Sequence, residues 1–258
     1  EKVIDQLLAD SRYGERWARH WLDLARFAES DGFAIDRERP TAWRYRDYVI
    51  RAFNEDRPYD TFVKQQIAGD EIQEGNASDR LVALGFLRMG TWEADANFKT
   101  QLRQDVLNEL TGTVGQVFLG FTVGCARCHD HKYDPIPQKD FYRLQAFFAP
   151  MRIDDRPAAF QEIENPKLMK SELRRYEDEV EVADEALKKI QERFKKEFIQ
   201  RKQLKSDDKK AGEYLAALRN AKDETFTEAE RKEWRTASDH LRKMTDSVGR
   251  YRPIAYAV

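Results

Sequence analysis

The sequence predicts an all-α protein: a compact multi-helix domain followed by a long, coiled-coil-like antiparallel helical hairpin. Three observations carry that prediction. Apolar residues recur at spacings of three and four through most of the chain, and no segment shows sustained strand alternation. Composition also changes near residue 165. Four of the five tryptophans and ten of the twelve glycines precede residue 160, whereas 167–248 is mostly Glu, Lys, Arg, Asp, Ala and Leu. The boundary falls at Glu164-Asn165-Pro166, because a proline disfavours helix at the residue before it. The expected division is therefore 1–164, a hairpin over 165–250, and 251–258 opening a further segment.

Taken in order, Tyr13, Trp17, Trp21, Leu24 and Ala28 mark one face of a first helix. Thr41 is the expected cap of a second, carrying Tyr45, Tyr48, Val49, Ala52 and Phe53 and stopping before Pro58. Asp60 is the expected cap of a third helix, with Val63, Gln66 and Ile67. Ser78 is the expected cap of a fourth, through Leu81, Val82, Leu84 and Leu87. Leu102, Val106, Leu110, Val114 and Val117 predict a longer helix, and Asp140 caps Phe141–Phe148. Ser30 to Pro40 reads as an irregular loop whose acidic residues miss calcium-loop spacing. In the second part, Leu173, Tyr176, Val180, Ala183, Leu187, Ile190 and Phe194 alternate by three and four, a coiled-coil seam. Ser206-Asp207-Asp208 interrupts it. Thr227 and Glu230 form a capping box for a helix bearing Trp234, Ala237, Leu241, Met244 and Val248. Two such stripes can bury each other in a hairpin roughly 45–50 Å long.

The formal net charge is −2 and the pI about 6.2. That balance gives no electrostatic case for nucleic acid or an anionic membrane. The longest apolar stretch, Val114 to Val123, is broken by Gly115, Gln116, Gly120 and Thr122, and falls short of a membrane span.

Chemistry concentrates in Cys125-Ala126-Arg127-Cys128-His129. These are the only two cysteines of the chain, and one of its four histidines follows directly. Two thiols three residues apart match covalent haem attachment, with the next histidine as axial iron ligand. Three other readings use the same residues. A dithiol redox pair would want a strand ahead of it, where this sequence reads as helix and loop. A zinc site could use Cys125, Cys128, His129 and His131, although four ligands within seven residues strain a tetrahedron. A plain disulfide is the third. Haem c is attached outside the cytoplasm. The chain starts at Glu1 without a methionine, so it reads as a piece of a longer exported protein whose targeting segment lies upstream.

Around the motif, Asp130, His131, Lys132 and Asp134 are candidates to orient the axial imidazole or to face haem propionates. His131 is expected to point to a propionate or to Asp130. His20 is the candidate distal iron ligand, a polar ring on an otherwise apolar helix face. Met89 and Met151 are further candidates, better read as core. His240 is expected to be exposed on the hairpin. Trp17, Trp21, Trp43, Trp92, Phe118, Phe121, Phe147 and Phe148 could line a porphyrin pocket or simply form an aromatic core.

Three segments carry a resemblance. These are Gly14-Glu15-Arg16-Trp17-Ala18-Arg19-His20-Trp21-Leu22-Asp23-Leu24-Ala25-Arg26-Phe27, Trp43-Arg44-Tyr45-Arg46-Asp47, and Phe118 through the Cys125-to-Ile136 stretch. In this order they resemble the planctomycete cytochrome c-like domain family over about residues 1–155. The resemblance implies export and one covalent haem c, with other domains of a larger chain as partners. It supplies no reaction. The leading expectation is a c-type haem domain for electron transfer, with a possible redox partner protein. A haem enzyme binding a small molecule at iron is the second, and a zinc-stabilised interaction module the third.

Overall fold

The computed structural model describes residues 1–32, 36–92, 99–204, 209–221 and 223–257, which form an essentially all-α chain. It divides into two units. The first spans Glu1–Ile163 and Pro253–Val258, the second Glu164–Arg252. Among the described residues, no helix is long and apolar enough to cross a membrane.

Unit 1 begins with α1 (Lys2–Leu8), which the sequence pattern did not indicate, and α2 (Arg12–Leu24). The buried face of α2 is Gly14, Ala18 and Trp21, continued by Ala25. Trp17 and Leu24 stay half exposed, at 49% each. The aromatic stripe therefore misidentified the core face. Small residues face inward so that α2 can approach α3 (Ala42–Asn54) closely. A Cβ on Gly14 would lie 2.5 Å from the Ile50 carbonyl oxygen, and the Gly14 N–H donates to Asn54 Oδ1 at 2.9 Å. Tyr45, Tyr48, Val49 and Ala52 are buried on α3 as the spacing requires. Trp21 Nε1 and Tyr45 Oη both donate to Gln66 Oε1, at 2.9 and 2.7 Å, so each buried polar tip is satisfied.

Capping residues shift from the sequence expectation. Thr41 stands at the N-cap of α3 without a side-chain capping bond. Pro58, not Asp60, precedes α4 (Tyr59–Ala68), and Asp60 instead pairs with Lys64 at 2.9 Å. Asn76, not Ser78, caps α5 (Ala77–Ala83), accepting from the Asp79 N–H. A 3-10 turn over Leu84–Arg88 follows, then α6 (Lys99–Leu119) and α7 (Gln138–Phe148). The Ser30–Pro40 loop holds one bridge, Ser30 to Glu38, and a buried Arg39–Asp31 ion pair at 2.9 Å; residues 33–35 lie outside the described set.

Two short strands went unforeseen, too short for alternation to register. β1 (Asp154–Pro157) pairs antiparallel with β2 (Ile254–Ala257), from Asp154 opposite Ala257 to Pro157 opposite Ile254. The closing residues of the chain thus return to unit 1. Buried Arg44 fastens them, donating to the carbonyls of Ala158, Ala159 and Ile254 at 2.8–3.0 Å.

Unit 2 is a hairpin of α8 (Pro166–Arg201) and α10 (Glu228–Arg250). Tyr176 stacks on Tyr251, Arg193 pairs with Glu233 and Arg201 with Glu230, so the helices run antiparallel. The Thr227–Glu230 capping box is present as the sequence predicts. Leu187, Phe194, Phe198, Phe226 and Trp234 are buried in one cluster. Its fully buried Leu218 comes from α9 (Tyr214–Arg219), a helix missed between the two long ones. The expected interruption at 206–208 lies outside the described residues.

Candidate functional site

The two cysteines sit where α6 ends. Gly120, with φ +71°, adopts the left-handed conformation that glycine tolerates best, and turns the chain back. Phe121 N–H then donates to the Gly115 carbonyl at 3.2 Å. A 3-10 turn follows over Val123–Arg127. Its period of three residues decides which side chains share an edge. Val123 and Ala126 point inward with Phe141, forming a small apolar cluster of their own. Cys125 and Cys128 share the other register, and both are exposed and free. Gly115 makes the packing possible, since a Cβ there would lie 2.3 Å from Val123 Cγ2.

Helix α7 grips the same turn. Gln138 Nε2 and Tyr142 Oη both donate to the Arg127 carbonyl, at 3.1 and 3.0 Å. The Gln138 backbone N–H donates to Asp130 Oδ1 at 2.7 Å, so Asp130 rather than Asp140 satisfies the start of α7. The Asp130 carbonyl in turn lies 2.7 Å from His129 Nδ1. A carbonyl only accepts, so Nδ1 is the donor in this contact and Nε2 is left clear of it. The His129 ring is exposed.

His131 bonds within the loop. Its Nε2 lies 2.9 Å from Thr122 Oγ1. Its Nδ1 accepts the backbone N–H groups of Asp134 at 2.9 Å and Tyr133 at 3.3 Å. Asp134 Oδ2 also approaches Nδ1, at 3.2 Å. Two backbone donors point at that nitrogen, which accepts from both. Both ring nitrogens bond within the loop. Among the described residues, no three His, Cys, Asp or Glu side chains converge to hold a metal ion. Lys132 is exposed, with its Nζ 5.2 Å from the Tyr133 ring centroid.

His20 is exposed on α2, not buried as its sequence neighbours suggested. Its ring centroid lies 5.5 Å from that of Trp17, and Arg16 Nη1 is 3.0 Å from its Nε2. His240 is exposed on α10. Met89 is buried in the main core. Met151 lines a groove of about 840 Å³ with Val63, Ile67, Phe118, Leu144 and Phe147. Neither cysteine nor His129 lines that groove. Thr122, Gln138 and Tyr142 were not singled out from the sequence. The available signal was at Gly115, a glycine inside an apolar helix, which marks close approach.

A family model described as PSCyt2, a protein of unknown function (DUF1549), matches residues 1–153. No curated protein and no solved structure matches the chain.

Proposed function

The chain belongs to the PSCyt2 family, and from that premise we propose that it carries one covalently attached c-type haem for electron transfer within an exported protein. The observation that carries this reading is the state of the motif. Cys125 and Cys128 are exposed and unpaired, the first on a 3-10 turn and the second at its C-terminal cap, beside an imidazole whose Nδ1 bonds the Asp130 carbonyl and whose Nε2 is clear of it. Each thiol can add across one vinyl C=C, sulfur to one carbon and a proton to the other, with no oxidant required. His129 would ligate through Nε2, and the carbonyl on its Nδ1 raises its basicity. Bound haem supplies a one-electron couple. Exposed Phe121, Tyr133 and Tyr142 beside the motif offer apolar surface to a flat macrocycle. His20 would be the candidate second residue to hold the iron, since its Nε2 meets only a side chain, Arg16, that can swing away.

The test is a pyridine haemochrome spectrum of the chain exported alongside a haem-attachment apparatus. Wild type should show the band position of two saturated vinyl groups, and Cys125→Ala or Cys128→Ala that of one. Free haem b in all three would defeat the reading. His20→Ala should open a site that binds carbon monoxide; an unchanged spectrum would remove His20 as a ligand.

A further inference from the structure

We propose that His131 is the positioning residue of the motif loop, an imidazole that ties Thr122, ahead of the thiols, to the Tyr133–Asp134 backbone behind them. Its purpose rests on the haem reading above; its geometry does not. Besides His131, the segment from Gly120 to Pro137 is ordered by one short 3-10 turn, a small apolar cluster and the α7 bonds to Arg127 and Asp130, and its two cysteines are unpaired. Cys125, Cys128 and His129 are exposed, so packing does not fix them. The His131 side chain is 6% exposed in their midst. One ring reaches back nine residues through Nε2 and forward to two N–H groups through Nδ1, while the His131 N–H donates to the Ile136 carbonyl at 2.8 Å.

Every hydrogen-bonding atom of this buried ring is satisfied, as a buried polar group requires. Turning it into a metal ligand would break the bonds that close the loop. Closing it in advance means that two thiols and one imidazole meet a single rigid partner with less entropy still to lose.

Three variants separate the roles of the two nitrogens. His131→Asn keeps an acceptor near the Nδ1 position, His131→Ala removes both atoms, and Thr122→Val removes the partner of Nε2. Two quantities are read in the full chain. One is covalent haem per chain after export with an attachment apparatus. The other is the affinity of the unloaded protein for phenylarsine oxide, which bridges two thiols and so reports their preorganisation without haem. His131→Ala should lower both by about fivefold or more, while His131→Asn and Thr122→Val, each keeping the Nδ1-side bonds and losing the Nε2 one, should both fall between it and wild type. Far-UV circular dichroism checks that unit 1 is folded; if His131→Ala is not, Thr122→Val carries the comparison. Wild-type behaviour of Thr122→Val and His131→Ala, or of Thr122→Val alone where the alanine variant does not fold, would overturn the proposal. So would an asparagine variant as impaired as the alanine one. A wild type that takes no haem yet shows the arsenical pattern would sink the haem reading and leave the positioning role standing.

Discussion

A methyl group at position 115 has nowhere to go. The Val123 side chain occupies that space, and Val123 begins the turn that carries both thiols. Gly115→Ala must therefore push the turn off α6, at a cost of about 1–3 kcal/mol, typical of overpacking. Thermal unfolding should show that loss, and haem loading should fall with it. Gly112→Ala, whose nearest contact is an ordinary 3.9 Å, should change neither. Cys125, Cys128 and His129 stand out at this scale by sequence spacing alone, and the fold leaves all three exposed. Thr122, Gln138 and Tyr142 do not stand out. They act on Arg127, Asp130 and His131 across 8 to 15 residues, and no local pattern records such a contact. For His131 the sequence suggested a propionate or Asp130 as partner, and the structure shows its nitrogens bonded to Thr122, Tyr133 and Asp134 instead.

Individual helices show where pattern reading succeeds and where it slips. The capping box of α10 was legible because Thr227 and Glu230 satisfy each other within one turn. The start of α7 was not, because Asp130 reaches it from eight residues upstream. On α2 the large aromatics outweighed Gly14 and Ala18, yet close helix approach selects small residues. Glu230 yields a pH prediction. The Arg201 guanidinium, helped by the Thr227 N–H and hydroxyl, holds its carboxyl at about 2, below the ordinary 4.5. A depressed carboxyl stabilises the fold above its unfolded value and loses that contribution as pH falls through the folded one. Hairpin stability should therefore decline as pH drops from about 4.5 toward 2. Thermal melts of Glu230→Gln should show a lower but flatter profile over that window; an identical slope in both proteins would contradict the assignment.

The chain as a whole is an all-α protein in which unit 1 holds the motif and unit 2 has its own apolar cluster. Composition made that division legible, since a charged, glycine-poor hairpin and an aromatic-rich domain bury different surfaces. The return of the last residues as β2 was not legible, because it depends on Arg44 gathering carbonyls from two distant segments. Leu187 is buried among Phe194, Phe226 and Trp234. Leu187→Asp should cost the hairpin about 3 kcal/mol or more. Hydrogen exchange should place that loss in unit 2, with the haem spectrum of unit 1 unchanged; a displaced Soret band would mean the two units are not independent.

The most direct measurement is the intact mass of the exported chain under denaturing, acidic conditions that strip any haem not covalently bound. The mass should exceed that of the polypeptide by one haem, and the added mass should map to the peptide holding Cys125 and Cys128. Loss of both thiols in a Cys125→Ala, Cys128→Ala protein should abolish it. A wild-type mass equal to the bare chain, after export beside a working attachment apparatus, would contradict the account.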